Sequence, residues 1–438
     1  MTPAWIRKTG RAARSRLHRC APPLTFFMPL LGLLLALCAA NLPGCSKNPA
    51  DPDDPTRTPP RPLTAAEEQL VSCDNTFAFT LFQELLDQES PGKNIAVSPL
   101  SVAMALTMAL NGARGETQAA LQQALALSDL EPQEINESYR GLIDLLAGLD
   151  PDAILEIANS IWPRQDYPIE ADFLEVNRVY FDAQVNALDF SAPGAVDVIN
   201  GWVETRTHGL ISNILDNIPP DAVMYLINAI YFKAHWTYAF DPEDTETGVF
   251  HRADGRDVPC DMMYLPRLEV ELPLYTDGEG NFQVLELPYG VGDFCMTLLL
   301  PAADRDLDSL IDGMTQEAWD GWLAALQPTA VDVLLPRFEL EYKGTLNDVL
   351  TALGMGIAFT PLADFHGISP RDLMIYRVIH RAVVKVDETG TEAAAATVVE
   401  VGETSVPPSF VADRPFLFAI RDRHSGAILF MGKVEDPT

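Results

Sequence analysis

Apolar residues follow a helical period near the start of the chain and a strand-like pattern later on. In the first part, five apolar residues recur at intervals of three and four, which predicts an amphipathic helix. Ser98-Pro99 predicts the start of a second helix, with proline in the first turn before the apolar stretch 102–110. The residues of the first helix are Phe77, Leu81, Phe82, Leu85 and Leu86.

Strand-like apolar runs dominate the later part of the chain, without regular alternation of strands and helices. Helices first and strands afterwards predict an α+β fold rather than a doubly wound parallel sheet. A predicted helix at 346–353 is followed by Gly354-Met-Gly356, which predicts a turn. The apolar runs are 223–232, 284–287, 294–300, 331–338 and 383–386.

The first 44 residues have the layout of a secretory signal peptide. Six basic residues and no acidic residue precede an apolar stretch from Leu24 to Ala40. As a membrane span this stretch is short, and Pro29 interrupts it. It ends in Leu42-Pro43-Gly44-Cys45, which resembles the bacterial lipobox, so we expect cleavage before Cys45 and lipidation of its thiol. Because proline is unusual inside that box, a plain signal peptide cut elsewhere is the alternative.

The segment 45–65 is predicted to be the lipidated cysteine followed by an extended tether. From Ser46 to about Pro62 it is rich in proline and aspartate and has almost no apolar residues to bury. Residues 66–438 have a globular composition with no second linker, which predicts one large domain, expected to be a monomer. The chain is therefore expected to be secreted and anchored to the cell envelope, touching the membrane only through its lipid.

The charge of the chain disfavours nucleic acid as a partner. The sequence has 30 basic and 62 acidic residues. Removal of residues 1–44 takes away six basic residues, which leaves 24 against 62, or −38. Such a surface repels phosphate backbones, and its simplest role is solubility.

The cysteines of the mature chain show no metal-binding pattern. Cys73, Cys260 and Cys295 remain after the signal peptide and Cys45 are set aside, and they are far apart. One disulfide with one free thiol and three free thiols are both open at this point. No metal and no cofactor are expected.

Motifs of the common enzyme classes are missing from the sequence. There is no G-x-S-x-G, no H-E-x-x-H and no glycine-rich loop ending in Lys-Ser or Lys-Thr. A Ser-His-Asp triad needs no closeness along the chain, but nothing marks one. The chain is therefore not expected to be an enzyme.

The stretch from Gly390 to about Phe410 combines the features of a strand and of a loop. If the stretch is a strand, its side chains alternate between two faces, of which one is uncharged and the other carries Glu392 and Glu400. It ends in Gly402, Pro407 and Pro408, which suit an exposed loop. The pattern therefore predicts a segment that is a loop in one state and a strand in another. The uncharged face consists of Thr391, Ala393, Ala395, Thr397, Val399 and Val401.

Gly390-Thr-Glu-Ala-Ala-Ala-Ala-Thr closely resembles the hinge of inhibitory serpins. Ala412-Asp-Arg-Pro-Phe-Leu-Phe-Ala-Ile-Arg-Asp resembles the C-terminal strands of that family, and Asn94-Ile-Ala-Val-Ser-Pro-Leu-Ser resembles its early helix-B region. Ile199-Asn-Gly-Trp-Val-Glu-Thr-Arg-Thr-His-Gly-Leu-Ile matches the helix-F region. One departure is Asp261, where a proline is common. The chain is thus identified as resembling an inhibitory serpin in a bacterial lipoprotein form.

The resemblance implies a serpin fold with three β-sheets, eight or nine helices and an exposed reactive-centre loop. It implies inhibition of a serine protease, and possible inhibition of a cysteine protease, by cleavage of the loop, trapping of the acyl-enzyme and insertion of the loop into the main sheet. The family's spacing places the cleaved bond fourteen residues past Gly390, at Thr404–Ser405. Thr404 suits an elastase-like or subtilisin-like target. The alternative is a non-inhibitory serpin acting as a binding module or chaperone.

Further site residues follow from the resemblance, position by position. The polar cluster beneath the main sheet corresponds to Ser98, Ser101, Asn228 and His380, and the top of the opening sheet to Trp236. Arg337 and Glu388 correspond to an ion pair at the base of the loop. The hinge corresponds to Glu388, Gly390, Thr391, Glu392, Ala393, Ala394, Ala395, Ala396 and Thr397.

Overall fold

The computed structural model describes residues 59–267, 270–390 and 408–438, all within one unit, Asn48–Thr438. In it, the first helix begins where its sequence provides a cap. Thr64 and Glu67 form a reciprocal capping box, in which Thr64 N donates to Glu67 Oε2 at 2.8 Å. Ser98 caps the second helix, with Pro99 in its first turn. Both predicted helices are therefore confirmed.

The described residues form nine α-helices. The predicted helix at 346–353 is shorter than expected, and the chain widens into a π-turn at Thr351–Met355 that contains Gly354 at φ +99°. The helices are α1 (Ala65–Gln88), α2 (Pro99–Leu110), α3 (Gly115–Ala124), α4 (Pro132–Ala147), α5 (Ala171–Phe181), α6 (Ala195–Arg206), α7 (Leu307–Asp312), α8 (Gln316–Ala324) and α9 (Asn347–Leu350).

The described part of the chain also contains sixteen strands, most of them in runs without a helix between them. They are β1 (Ile95–Val97), β2 (Ala153–Pro163), β3 (Gln184–Val185), β4 (Met224–Ala234), β5 (Glu246–His251), β6 (Asp257–Leu265), β7 (Glu271–Thr276), β8 (Phe282–Tyr289), β9 (Phe294–Pro301), β10 (Gln327–Ala330), β11 (Asp332–Pro336), β12 (Phe338–Thr345), β13 (Ile379–Val386), β14 (Ser409–Val411), β15 (Phe416–Asp422) and β16 (Ile428–Val434).

The strands pair into four hydrogen-bonded groups. Seven strands form one sheet in the order β1-β16-β15-β9-β8-β7-β10, and four form a second in the order β14-β11-β6-β5. The remaining groups are β3-β2-β4 and β12-β13. Edge strands β4 and β13 of these two groups flank a common cavity. We call the groups β3-β2-β4 and β12-β13 together the parted sheet. With it, the described residues form the three sheets of the expected α+β fold.

One predicted apolar run divides between two sheets. The run 331–338 is broken at Arg337, so that β11 belongs to the four-stranded sheet and β12 to the parted sheet. Pro336 is the last residue of β11 and pairs with Met262, and Arg337 N donates to Asp261 O at 2.8 Å in the same register before the chain leaves for the other sheet. This break carries the Arg337 side chain to the border between the two sheets.

The question that the sequence left open about the cysteines is answered by the structure. Cys73, Cys260 and Cys295 are all free thiols. Burial raises the pKa of Cys73 and Cys260 to about 11 and that of Cys295 to about 12. All three are therefore protonated and poorly nucleophilic at neutral pH.

A buried ion pair crosses the middle of the seven-stranded sheet. Arg421 in β15 donates to Glu286 in β8, and Arg421 Nε donates to Thr297 Oγ1 in β9 at 3.1 Å. The side chains of Arg421 and Glu286 are 7% and 3% exposed. A charge left in this place without its partner would be costly, because water cannot reach it.

We predict that Arg421→Met lowers the free energy of unfolding by up to about 3–5 kcal/mol, because it leaves the buried Glu286 with only the more exposed Arg423, whose Nε lies 3.4 Å from Glu286 Oε2, as a cationic partner. The double variant Arg421→Met/Glu286→Met should recover most of this loss. The urea-induced unfolding transition measures both. Arg178→Met, which breaks an exposed pair with Glu175, is the control and should change the free energy by less than about 0.5 kcal/mol. A double variant as unstable as Arg421→Met would contradict the prediction.

Candidate functional site

The candidate site is the opening between β4 and β13. No hydrogen-bonded ladder joins these two strands in the described part of the chain. They line a cavity of about 400 Å³ together with residues of α2, α6 and the segment that precedes β13. A pair of neighbouring strands lies about 4.8 Å apart, with no room for such a cavity. The opening is therefore a site where extended chain could be added to the sheet.

A polar cluster closes the floor of the opening, where α2 begins. Ser98 N donates to His380 Nε2 at 3.0 Å, and Ser98 Oγ donates to Leu429 O at 2.7 Å. Ser101 Oγ donates to Asn228 O on β4 at 3.4 Å. The structure thus brings Ser98 and Ser101 between His380 on one side of the opening and Asn228 on the other.

His380 is held in its neutral form. Burial lowers the pKa of His380 to about 4, because the surrounding protein solvates the imidazolium poorly. Since Nε2 accepts a hydrogen bond from Ser98 N, the ring proton of the neutral form is on Nδ1. His380 therefore ties β13 to α2 without carrying charge.

Asn159 is a member of this cluster that the sequence did not reveal. Asn228 Nδ2 donates to Asn159 Oδ1 at 2.8 Å, and Asn159 Nδ2 donates to Phe181 O at 2.8 Å. The two asparagines face each other in the register of β2 and β4. A lone asparagine in the apolar run of β2 was the only local signal, and its partner lies 69 residues away.

The side chains of Asn228 and His380 do not bond to each other across the opening. Among the hydrogen bonds of the described residues none joins the two, and Asn228 Oδ1 is buried without a partner. Asn159 fixes the Asn228 amide through its nitrogen, which leaves the oxygen as an acceptor. A buried acceptor without a donor is costly, so a hydrogen-bond donor placed beside Asn228 Oδ1 would stabilise the cluster.

The top of the opening is built around Trp236. Its ring stacks on Tyr289 with centroids 4.3 Å apart and an interplanar angle of 11°. Its Nε1 donates to Asp387 O at 2.9 Å. The backbone of the same segment is also paired, since Trp236 N donates to Thr389 O at 3.0 Å and Phe240 N donates to Glu388 O at 2.8 Å. Trp236 thus fixes the chain that follows β13.

Glu388 is a buried carboxylate with two side-chain donors. Arg337 forms an ion pair with it, and Thr245 Oγ1 donates to Glu388 Oε1 at 2.8 Å. Burial by itself raises the pKa of Glu388, but the hydrogen bonds from Arg337 and Thr245 outweigh it and hold the pKa below its ordinary value. Because the Glu388 carboxylate is buried, this contact differs from an exposed ion pair, which contributes little to stability.

Gly390 is required by the backbone at the entrance to the opening. Its φ is +128°, a conformation that side chains with a Cβ rarely adopt. A Cβ built at this position would lie 2.4 Å from Ala234 O and 2.6 Å from Trp236 N. Gly390 bridges His235 in antiparallel orientation, directly beyond the end of β4. The chain therefore reaches the edge of β4 at the last residue described before residue 391.

Several predicted site residues lie outside the described residues. They are Cys45, Thr391, Glu392, Ala393, Ala394, Ala395, Ala396, Thr397, Thr404 and Ser405. In the part that is described, no three histidine, cysteine, aspartate or glutamate side chains are grouped so as to hold a metal ion. Within the same residues, no helix has the length and apolar character needed to cross a membrane.

Comparison with known sequences gives the same family that the hinge motif suggests. The model of the family described as "Serpin (serine protease inhibitor)" matches residues 72–437. Human neuroserpin is 34% identical over 355 residues, which cover 79% of this chain and 86% of neuroserpin. Iripin-2 from Ixodes ricinus is 34% identical over 376 residues, covering 84% of this chain and 94% of Iripin-2.

Solved structures agree with the sequence relatives. Human thyroxine-binding globulin in complex with thyroxine has a TM-score of 0.77 and 31% identity, covering 85% of this chain and all of that chain. The thermophilic serpin tengpin in its native state has a TM-score of 0.75 and 29% identity, covering 87% and 98%. Most serpins are protease inhibitors rather than enzymes. The chain belongs to the serpin family.

Proposed function

We propose that this serpin inhibits a protease by offering the segment after Gly390 as a substrate and then inserting it between β4 and β13. The observation that carries the proposal is the opening itself, with Gly390 at its upper end. The bridge between Gly390 and His235 is antiparallel, and an added strand would continue in that direction along β4. The cavity between the strands offers the space.

The composition of the segment supports insertion. Thr391, Ala393 and Ala395 are small and uncharged, so burying this face of a strand inserted into the sheet costs little. Backbone N–H and C=O groups of a new strand would also supply hydrogen-bond partners along both edges of the opening. Glu392 lies on the other face of the same pattern.

The proposed reaction begins as ordinary proteolysis. The protease nucleophile attacks the carbonyl carbon of Thr404, the peptide bond to Ser405 breaks, and the Ser405 amine leaves with a proton. The Thr404 acyl group stays bonded to the protease. Insertion then carries the acyl-enzyme away from its starting position before water can attack the ester. The protease stays trapped when insertion is faster than hydrolysis of the acyl-enzyme.

The sequence of the loop limits the choice of target. Between Thr389 and Asp413 there is no lysine or arginine, so a trypsin-like pocket that requires a cation is disfavoured. Thr404 is small and β-branched, which suits an elastase-like or subtilisin-like serine protease. A cysteine protease would form the analogous thioester.

The competing function is that of a non-inhibitory serpin. Human thyroxine-binding globulin in complex with thyroxine illustrates that a protein of this fold binds a small ligand. The uncharged face from Thr391 to Thr397 favours the inhibitor, because a binding module has no need for small residues at these positions.

The N-terminal segment suggests where inhibition takes place. We propose that residues 1–44 are removed, that Cys45 carries lipid, and that 45–65 tether the domain 66–438 to the cell envelope. The family match begins at residue 72, shortly after this tether. Mass spectrometry of the mature chain should find a lipidated Cys45 at its N-terminus.

We predict that an elastase-like protease forms a covalent complex that survives boiling in denaturant. Mass spectrometry of the released C-terminal fragment should find Ser405 at its N-terminus. Trypsin is the control, and it should form no complex through a bond between Thr389 and Asp413, where it has no cleavage site. Complete cleavage with full recovery of protease activity would refute the inhibitor function.

We predict that Ala395→Arg turns the inhibitor into a substrate, because a buried guanidinium slows insertion. The number of inhibitor molecules consumed per protease should rise by about tenfold or more. Ala394→Arg, on the opposite face of the same segment, is the matched control and should have a smaller effect. Active-site titration measures both values. Equal effects of the two variants would contradict the two-faced insertion model.

We predict that His380 makes the folded state less stable as the pH falls. Its pKa is about 4 when folded against 6.5 in the unfolded chain, so between these values the unfolded chain binds a proton that the folded state does not. The free energy of unfolding should fall by on the order of 3 kcal/mol from above pH 6.5 to below pH 4.

His380→Gln isolates this contribution, because glutamine does not titrate. Asp74 provides the opposite slope in both proteins, since burial raises its pKa to about 7. The difference between wild type and variant in urea unfolding, measured from pH 4 to pH 7.5, therefore reports His380 alone. An equal pH dependence in the two proteins would contradict the neutral, buried state of His380.

A further inference from the structure

The tether of residues 45–65 meets the folded domain at Arg61, shortly before α1 begins. The Arg61 guanidinium pairs with Glu67 of α1 through both oxygens, at 2.8 Å from Nη1 to Oε2 and 2.6 Å from Nη2 to Oε1. Arg61 Nη2 also donates to Gly141 O on α4 at 2.9 Å. From the turn between β15 and β16, His424 Nε2 donates to Arg61 O at 2.7 Å. We call Arg61, Glu67, Gly141 and His424 the exit clamp.

The exit clamp is fitted to its place on the domain. The Glu67 side chain is only 7% exposed, and the hydrogen bonds from Arg61 hold the pKa of Glu67 below its ordinary value. A Cβ built at Gly141 would lie 1.9 Å from Glu67 Oε1. Any side chain at position 141 would therefore displace the carboxylate that holds Arg61, although glycine is a poor residue for the interior of a helix.

A first set of backbone contacts leads from the exit clamp to Gly390. The turn between β15 and β16 is bonded to the connection between β8 and β9, because Arg423 N donates to Asp293 O at 2.6 Å. In the same connection, Gly290 N donates to His235 O at 2.8 Å. His235 in turn bridges Gly390. The clamp and Gly390 are thus joined through a single connection.

A second route, along α4, leads to the same end of the domain. Gly141 lies six residues before the end of α4, which is about 9 Å along the helix. Beyond that end, Asp150 Oδ2 accepts a hydrogen bond from Val291 N at 3.0 Å. The next strand, β2, begins at Ala153, which pairs with Ala234 at the end of β4. The exit clamp therefore lies towards the Ala234 end of β4.

The opposite end of the domain is marked by Met224, the first residue of β4. This strand has 11 residues, so about 33 Å separates its two ends. Met224 lines the cavity together with Asp372 and Met374 of the segment that precedes β13. Asp372 thus marks the end of the domain that lies away from the exit clamp and Gly390.

The number of residues before the exit clamp limits how the anchored domain can turn. Residues 46–60 span at most about 50 Å when fully extended. If the Asp372 end faced the membrane, these residues would have to run along the whole domain to reach the clamp. Most orientations that this length allows therefore keep the clamp, and with it Gly390, on the membrane side.

We propose that the exit clamp holds the Gly390 end of the domain towards the membrane that carries the lipid, and that the target is a protease attached to the same membrane. The orientation rests on the proposed lipid at Cys45, and the partner rests on the proposed inhibition. Insertion along β4 runs from Ala234 towards Met224, which is away from that membrane. A trapped protease is then drawn off the membrane surface.

Energy transfer to the membrane tests the orientation without any protease. The mature lipidated chain is placed on phosphatidylcholine vesicles that contain an acceptor dye on a lipid headgroup. An azide-bearing amino acid replaces Glu243 in one protein and Asp372 in the other, and each is coupled to the same donor dye. Both positions are exposed, and Glu243 follows Phe240, whose N donates to Glu388 O at the Gly390 end. Because about 30 Å separates the ends, transfer from position 243 should be at least about twofold that from position 372.

Two variants of the exit clamp and one matched control test its role. Gly141→Ala should lower the ratio of the two transfer efficiencies towards one, because the added Cβ displaces the Glu67 carboxylate. Arg61→Ser removes the guanidinium and should act in the same direction. Arg256→Ser breaks an exposed pair with Asp254 elsewhere on the surface and should leave the ratio unchanged. Urea unfolding checks that all three variants fold.

Placement of the protease tests the partner. An elastase-like protease with a histidine tag is bound to the same vesicles through a nickel-chelating lipid, or is left free in solution. Wild-type protein should form the covalent complex about tenfold faster or more with the bound protease, because both partners share one surface. Arg61→Ser and Gly141→Ala should lose part of this gain, whereas Arg256→Ser should keep it.

Equal transfer from the two positions, or greater transfer from position 372, would overturn the orientation. An unchanged ratio in both clamp variants would overturn the role of the clamp. A bound protease that reacts no faster than a free one would overturn the partner and leave the orientation in place. Mass spectrometry that finds no lipid on Cys45 would overturn the orientation together with the anchor. The absence of a covalent complex with free protease would instead overturn the inhibition and the partner, with the transfer ratio unaffected.

Discussion

The two halves of the parted sheet are held together without a ladder between β4 and β13 in the described residues, and the rest of the site depends on this constraint. Three sets of contacts hold the two halves together: Trp236 and Glu388 at the top, Ser98 and His380 at the floor, and the segment 208–217 outside, where Lys343 pairs with Asp216. These contacts, many of them made by side chains, are fewer than the backbone hydrogen bonds of a full ladder. A strand that satisfied both edges would therefore give a more stable sheet.

Local patterns predicted the elements well and their partners poorly. The helical spacing before Leu86 and the apolar runs around β4, β8, β9 and β13 correspond to observed elements because burial of one face imposes a period on the sequence. The run 331–338 is divided at Arg337 between two sheets, and this change of pairing partner leaves no mark on the apolar periodicity. The opening could not be predicted in this way, since strand pairing joins residues far apart in sequence.

The same distinction applies to the site residues. Gly390 was predicted from the resemblance, and the structure adds the close approach to Ala234 O that excludes any Cβ. Asn159 was missed because its role depends on facing Asn228 across two strands. Glu388 was predicted from the resemblance as one partner of an ion pair, and its burial beside Thr245 could be learned only from the fold.

The arrangement of these contacts separates stability from readiness to change. The seven-stranded sheet is continuous and contains the buried Arg421–Glu286 pair, so that it resists distortion. The parted sheet instead keeps a buried Asn228 acceptor without a partner and a cavity where strand backbone would fit. The parted sheet therefore lacks hydrogen bonds and packing that an added strand would supply, while the seven-stranded sheet holds the framework fixed. In the proposed mechanism, insertion into the parted sheet would release that energy as directed movement of the loop, because the scaffold around the opening has little freedom to absorb it.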